Sequence, residues 1–265
     1  MQKLTLGIRP AFLLVGFLQG TKQKMKYAGE VYIVPPDDLL GGDPKDRPHV
    51  LLNDCEDADA KGILAYCSTV STEARHNAIS HLVDPVKAGS RMSGFDVPTY
   101  VYPSRLVAIE TEDLVQKVGR LMDDMVAVRG KFADALGLGT GTGAGSGFAR
   151  GSMRGQVVTL QDTLAEVLET EYAVVVTEPL YCREHRYQSV VPIYPGAKFE
   201  ALPDDVFADA AWVERVEPGY GPGVLAVEWV QSVYQPTRFK RLTGVVVDDQ
   251  TIQLIDAALK LHFDL

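Results

Sequence analysis

Apolar and β-branched residues fall in short runs along most of this chain, and clusters of Gly, Pro, Asp and Asn separate them. Runs of that length and composition predict strands rather than helices. In the first half they cover Val31–Val34, Val50–Asn53, Ile63–Tyr66, Ile79–Val83, Tyr100–Tyr102 and Val107–Ile109. In the second they cover Val157–Leu160, Val174–Thr177, Val190–Ile193, Val224–Trp229 and Gln231–Tyr234. Segments such as Pro35-Pro36-Asp37-Asp38 and Gly41-Gly42-Asp43-Pro44 have the turn chemistry that ends such runs. Spacings of three and four appear at Met125, Val128, Phe132 and Leu136, and again at Ile252, Ile255, Leu259 and Phe263. Each set lies on one face of a helix, with Asp123 or Asp124 and Asp248 or Asp249 available as caps.

The same pattern therefore occurs twice. Gly29-Glu30-Val31-Tyr32 aligns with Gly155-Gln156-Val157-Val158, and Val50-Leu51-Leu52 with Val174-Val175-Val176. Leu64-Ala65-Tyr66 aligns with Val190-Val191-Pro192, Leu106–Ile109 with Val230–Val233, and Asp123-Asp124 with Asp248-Asp249. The blocks keep their order, and the offset between them drifts by only two positions, which is the signature of an internal repeat. Between the copies, Gly137–Gly147 carries glycine at every second position. Such a segment has too little to bury to offset the entropy of ordering and behaves as a linker. It also lacks the Gly-Lys-Ser/Thr ending of a phosphate-binding loop. The expected organisation is an extension over 1–24, a first domain over 25–138, a glycine-rich linker over 139–151 and a second domain over 152–265. The expected fold class is mainly β with helices, each unit a small barrel with helical cover.

Composition narrows the function classes. The 265 residues carry a formal charge of -9, unevenly spread. Residues 1–148 hold 16 Lys/Arg against 18 Asp/Glu, and residues 149–265 hold 10 against 17. Phosphate neutralisation supplies most nucleic-acid affinity, so the second half is a poor RNA surface and any basic patch belongs to the first. The cysteines Cys55, Cys67 and Cys182 are odd in number and lack CxxC spacing, which suggests reduced thiols rather than a disulfide framework or zinc site. The apolar run Ala11–Leu18 is too short to span a bilayer, and no small-residue cleavage pattern follows it. Met25-Lys-Tyr-Ala-Gly-Glu-Val-Tyr has the character of a domain start, which makes 1–24 a dispensable extension in a cytoplasmic protein.

The first copy resembles the MazF/PemK family of plasmid-maintenance toxins, the CcdB/Kid type. The likeness rests on Gly29-Glu-Val-Tyr, on Asp46-Arg47-Pro48-His49-Val50-Leu51-Leu52-Asn53-Asp54, on Leu64-Ala65-Tyr66-Cys67-Ser68-Thr69-Val70 and on Pro98-Thr-Tyr-Val. A short helix near Thr111–Leu121 and a terminal helix closing on Ala135-Leu-Gly-Leu complete it. The likeness covers roughly 28–138; the second copy shares only the apolar skeleton and the final helix. The resemblance implies an SH3-like toxin barrel that works as a two-fold dimer, here fused into a monomeric intrachain pseudo-dimer. It implies metal-independent endoribonuclease activity on single-stranded RNA, by attack of a 2′-hydroxyl on the adjacent phosphate, with no cofactor. An antitoxin or other protein held in the dimer-like groove is the implied partner, and no membrane is involved.

Carried over by position, the catalytic candidates are Arg47, at the Arg-Pro site, and Cys67, Ser68 and Thr69, at the end of the third strand. A guanidinium suits the role because it stays charged and meets phosphate oxygens bidentately. A thiol at Cys67 is a weaker donor than the hydroxyl expected there, and Ser68 or Thr69 takes its place after a shift of one or two residues. His49, Arg75 and His76 are the candidate substrate contacts. The plainer readings are an ion pair for Arg47, backbone-bonding hydroxyls at a strand end for Ser68 and Thr69, a packed ring for His49 and a solvated face for Arg238, Lys240 and Arg241. The second copy has Glu171 where the first has Arg47, and Ile193-Tyr194-Pro195 where it has Cys67-Ser68-Thr69. At most one site per chain is expected. The rival expectation is a toxin-fold protein that has lost catalysis and only binds protein or nucleic acid.

Overall fold

The computed structural model describes residues 25–35, 45–56, 60–69, 80–138, 154–178, 187–196, 206–208, 210–234 and 239–265. The extension over 1–24 and the linker over 139–151 lie outside them. The first half contains β1 (Glu30–Val34), β2 (Arg47–Leu51), β3 (Lys61–Ser68), β4 (His81–Val83), β5 (Thr99–Glu110), β6 (Lys117–Arg120) and α1 (Asp124–Ala135). The second contains β7 (Gln156–Leu160), α2 (Asp162–Leu168), β8 (Tyr172–Val175), β9 (Tyr187–Pro195) and β10 (Val206–Ala208). It continues through α3 (Ala210–Val216), β11 (Gly223–Leu225), β12 (Gln231–Tyr234), β13 (Phe239–Val246) and α4 (Asp249–Phe263). The fold is mainly β with helical cover, as the apolar pattern predicts.

The strands form two antiparallel sheets, ordered β4-β5-β3-β2-β1-β6 and β10-β11-β9-β8-β7-β13, with β12 also paired to β9. The second sheet repeats the first in register as well as in order. Val31 faces Val50 and Val157 faces Val174; His49 faces Tyr66 and Ala173 faces Pro192. Ser68 faces Tyr100 and Tyr194 faces Val224; Ile63 faces Ala108 and Ser189 faces Ser232. Thus β11 and β12 together occupy the place of the single long β5, and a 3-10 turn at Val227–Trp229 interrupts them.

Isolated backbone bonds repeat too. Gly29 N–H donates to Leu51 O (2.7 Å) and Gly155 N–H to Val175 O (2.7 Å). Leu121 N–H donates to Gly29 O (2.7 Å) and Val247 N–H to Gly155 O (2.9 Å). Both glycines need positive φ, +88° and +79°, and a Cβ on Gly29 would sit 2.7 Å from Leu121 O.

One apolar cluster spans both halves. It takes Val31, Val50, Ile63, Ala65 and Cys67 from the first sheet and Val157, Val174, Val191 and Ile193 from the second. The helices α1 and α4 add Val128, Phe132, Ile255, Leu259 and Phe263. The Phe132 and Phe263 rings meet edge-on at 4.6 Å between centroids, where the quadrupoles of two rings attract. The Arg154 guanidinium ties the ends together, donating to Leu136 O (2.6 Å) and Val176 O and pairing with Asp256.

Several elements differ from the expectation. The segment expected to be a short helix near Thr111–Leu121 is one 3-10 turn, Thr111–Asp113, followed by strand β6. Gly119 of β6 lies so close to Ser93 that a Cβ there would come within 2.2 Å of it, a fit an extended segment makes and a helix would not. The run expected as a strand over Val224–Trp229 breaks at Leu225. Lys240 and Arg241, by contrast, agree with the expectation of a solvated face: both stand exposed on edge strand β13.

Candidate functional site

Alternation along β3 sorts its residues onto two faces. Ile63, Ala65 and Cys67 point into the shared core. Leu64, Tyr66 and Ser68 point the other way, with Tyr32, Val34, His49 and Leu51 of β1 and β2 and Tyr100, Tyr102 and Val107 of β5. The lower part of this outer face is closed by Cys55 and Leu114. Its upper part is a row of rings. His49 meets Tyr66 edge-on at 5.5 Å, Tyr66 is 6.2 Å from Tyr102, and Tyr102 is 6.3 Å from Tyr100.

Arg47 starts β2 beside this row. The β2–β3 register pairs His49 with Tyr66. Continued two residues outward, it sets Arg47 opposite Ser68. Both are half-buried, and Thr69 beyond them is exposed. The buried His49 ring turns its Nδ1 to Arg47 O at 3.1 Å, so that Nδ1–H donates. His49 thus fixes the backbone that carries Arg47 and, although on the same face, is itself buried.

Cys67 is placed differently from the expectation that grouped it with Ser68 and Thr69. Its side chain is fully buried, and burial pushes the thiol far above its usual titration range despite a backbone hydrogen bond at Val50. The alternation that brings Tyr66 and Ser68 to the outer face turns Cys67 inward, so it is a core residue. Arg75 and His76 lie outside the described residues. His81 is held elsewhere, 2.7 Å from Asp124 Oδ1, whose other oxygen accepts from Ser90 Oγ at 2.5 Å.

One cation that the sequence reading passed over closes the row. Arg105, half-buried on β5, places its Cζ 5.3 Å from the Tyr66 centroid, 5.2 Å from that of Tyr102 and 4.4 Å from that of Tyr187. Tyr187 belongs to the second half, so this collar straddles the seam. The second half supplies a matching contact. Lys61 corresponds to Tyr187 and Arg105 to Trp229, and Lys61 Nζ sits 4.0 Å from the Trp229 centroid. Residue and partner exchange roles across the seam, as in an isologous interface. Ser232 Oγ bridges the same seam, accepting from Leu106 N–H and donating to Ser104 O, each at 2.8 Å.

The equivalent face of the second half is built otherwise. His49, Tyr66, Tyr102 and Tyr100 correspond to Ala173, Pro192, Ala226 and Val224, so none of the four rings of the row has an aromatic counterpart. Helix α2 fills the space, packing Leu164 and Leu168 against Val158, Ala173 and Val175. Tyr194, in the place of Ser68, donates its hydroxyl to Leu168 O at 2.7 Å. Glu171, in the place of Arg47, borders a cleft of about 420 Å³ that also holds Asp162, Glu166, Glu169, Glu217 and Lys240. The Tyr172 phenol on its wall is pushed up to about 12 by burial and by its bond to Glu217. This surface repels a phosphodiester.

Among the described residues there is no cluster of three His, Cys, Asp or Glu able to hold a metal ion, and no helix long and apolar enough to cross a membrane.

No protein-family profile matches the chain, and no curated protein matches it. Solved structures do. A MazE–MazF complex from Deinococcus radiodurans aligns with 41% of this chain and 90% of its own, at 14% identity and a TM-score of 0.31. An endoribonuclease from a mycobacterial species aligns with 45% of this chain and 97% of its own, at 15% identity and a TM-score of 0.34. An endoribonuclease in complex with its cognate antitoxin, also mycobacterial, aligns with 44% and 99%, at 16% identity and a TM-score of 0.32. Likenesses of this size carry no information about activity.

Proposed function

We propose that this chain is a duplicated toxin-fold protein of the MazF/PemK kind, folded as its own pseudo-dimer, that cleaves single-stranded RNA at one site in its first half. The observation that carries this reading is the juxtaposition of Arg47 and Ser68 on adjacent strands at the mouth of the tyrosine row. In the second half the same positions hold Glu171 and Tyr194. Duplication is supported by the pair-by-pair repetition of strand register and by the exchanged contacts of Lys61 with Trp229 and Arg105 with Tyr187.

In the proposed reaction the ribose 2′-oxygen forms a bond to phosphorus, its proton leaves to solvent, and the bond from phosphorus to the 5′-oxygen breaks as that oxygen takes up a proton. Arg47 neutralises the charge that builds on the phosphorane oxygens, and Ser68 or Thr69 donates to one of them. The products are a 2′,3′-cyclic phosphate and a 5′-hydroxyl. A mixed single-stranded RNA pool incubated in EDTA tests the reading: cuts with cyclic phosphate ends, lost in Arg47→Ala, are expected. An absence of cuts at high protein concentration would sink it.

A second reading keeps the scaffold without the chemistry, as a module that binds RNA or an antitoxin-like peptide. The burial of Cys67 and of His49 favours it, because it removes two of the candidate groups from substrate. Binding without cleavage in the same experiment would select it.

A further inference from the structure

Arg105 is charged and half-buried, yet among the described residues its guanidinium makes no hydrogen bond or ion pair and lies against the rings of Tyr66, Tyr102 and Tyr187. Lys61, the cation in the matching contact across the seam, is paired with Glu110. Ring faces attract a cation but accept little of the hydrogen bonding that five N–H donors require. A guanidinium held among aromatic rings with its donors unspent is available to a planar pair of anionic oxygens.

Resting on the RNA reading above, we infer that Arg105 and its tyrosine collar form a second phosphodiester subsite at the seam, which grips the strand beside the Arg47–Ser68 position. Ser68 and Tyr66 are two residues apart on β3, about 7 Å in an extended strand, and Arg105 lies against Tyr66. Arg105 therefore lies on the same face as Ser68, one step along the row, where the strand that meets Ser68 would continue. Tyr100, half-buried at the open end of the row and opposite Ser68, offers a ring on which the intervening base stacks. The subsite exists in one copy per chain, because Trp229 replaces Arg105 in the repeat and Ala226 and Pro192 replace Tyr102 and Tyr66. Arg105 acts on binding, not on the reacting phosphate.

The test uses the full chain and a fluorescein-labelled single-stranded 2′-O-methyl RNA of mixed sequence, which binds without being cut. Anisotropy titrations at several salt concentrations compare the wild type with Arg105→Gln, which keeps most of the stem, with Arg105→Lys and with Lys61→Ala. The expected result is at least tenfold weaker binding by Arg105→Gln, with a log–log salt slope shallower by about 0.7, one phosphate contact on a single strand. Partial rescue by Arg105→Lys, no change for Lys61→Ala, and a raised KM at unchanged kcat on cleavable RNA complete it. Wild-type affinity in Arg105→Gln, or a loss shared by Lys61→Ala and tracking a fall in Tm, would overturn the subsite and leave Arg105 a strut of the interface, with the nuclease reading intact. Arg105-dependent binding without cleavage would keep the subsite and remove the nuclease. No binding by the wild type would overturn both.

Discussion

The two halves share a backbone and differ in what stands on one face of it. On the first sheet that face carries His49, Tyr66, Tyr102 and Tyr100, with Arg47 at one end and Arg105 lying over it. On the second, Ala173, Pro192, Ala226 and Val224 leave a shallow surface that α2 fills with Leu164 and Leu168. The core-facing side of both sheets stays mostly apolar, from Val31 and Ala65 to Val157 and Val191. A strand can exchange every outward residue without disturbing the inward ones, because successive side chains point to opposite sides. The chemistry of one face can thus differ between the halves while the fold is the same on the other. The second half keeps the role of a partner: it supplies Tyr187 to the collar and Phe263 to the helix pair.

The comparison breaks most visibly at the two ends of the pseudo-symmetric pair. Arg47→Ala is expected to lower RNA cleavage at least a hundredfold, the usual scale for removing a preorganised charge from a transition state. Glu171→Ala, at the matched position, should leave cleavage within twofold; equal losses in steady-state assays would mean that the halves do not differ as argued. Next in size is the shared core. Phe132→Ala removes a fully buried ring that touches Phe263 and is expected to cost about 3–5 kcal/mol, read by chemical denaturation. A single unfolding transition that moves as a whole is expected, since one cluster spans both halves; two separable transitions would show independent units.

A smaller effect concerns pH. Burial pushes the Glu30 carboxyl up, but donation from Lys117 and Tyr32 outweighs it and holds the group below the usual carboxylate range. A depressed carboxylate stabilises the fold above its ordinary range, and that stability is lost as pH falls through the folded value. The matched residue is the neutral Gln156. Glu30→Gln is therefore expected to cost about 1.5–3 kcal/mol at pH 7 and to flatten the acid limb of stability below the ordinary carboxylate range. An unchanged acid limb would assign it to other groups. The smallest effect is Lys61→Ala or Trp229→Ala, about 0.5–2 kcal/mol, with coupling between them in a double-mutant cycle.

Sequence alone revealed the skeleton well. The apolar runs located β1, β2, β3, β7, β8 and β9 and both long helices, because each buries a continuous stripe. It missed β6 and β13, edge strands whose side chains are mostly outside the core, and which therefore lack an apolar signal. It missed α2 as well, a seven-residue helix too short to announce itself and held by the packing of Leu164 and Leu168. At the site, the alignment of the copies placed Arg47 against Glu171 correctly in register. Motif matching by position brought Cys67 to the site, whereas strand alternation would have turned it inward. Arg105 carries no local signal, since its collar draws on three separate strands. The alignment could have exposed it: matching Lys61 to Tyr187 and Arg105 to Trp229 pairs a cation with a ring twice over.

The central claim is that one chain offers one site for a single strand. Isothermal titration calorimetry of the full chain with a short 2′-O-methyl RNA measures that number directly. One strand bound per chain is expected, with binding weakened by Arg47→Ala and Arg105→Gln and unaffected by Glu171→Ala. Two strands per chain, or a stoichiometry of one half, would contradict it.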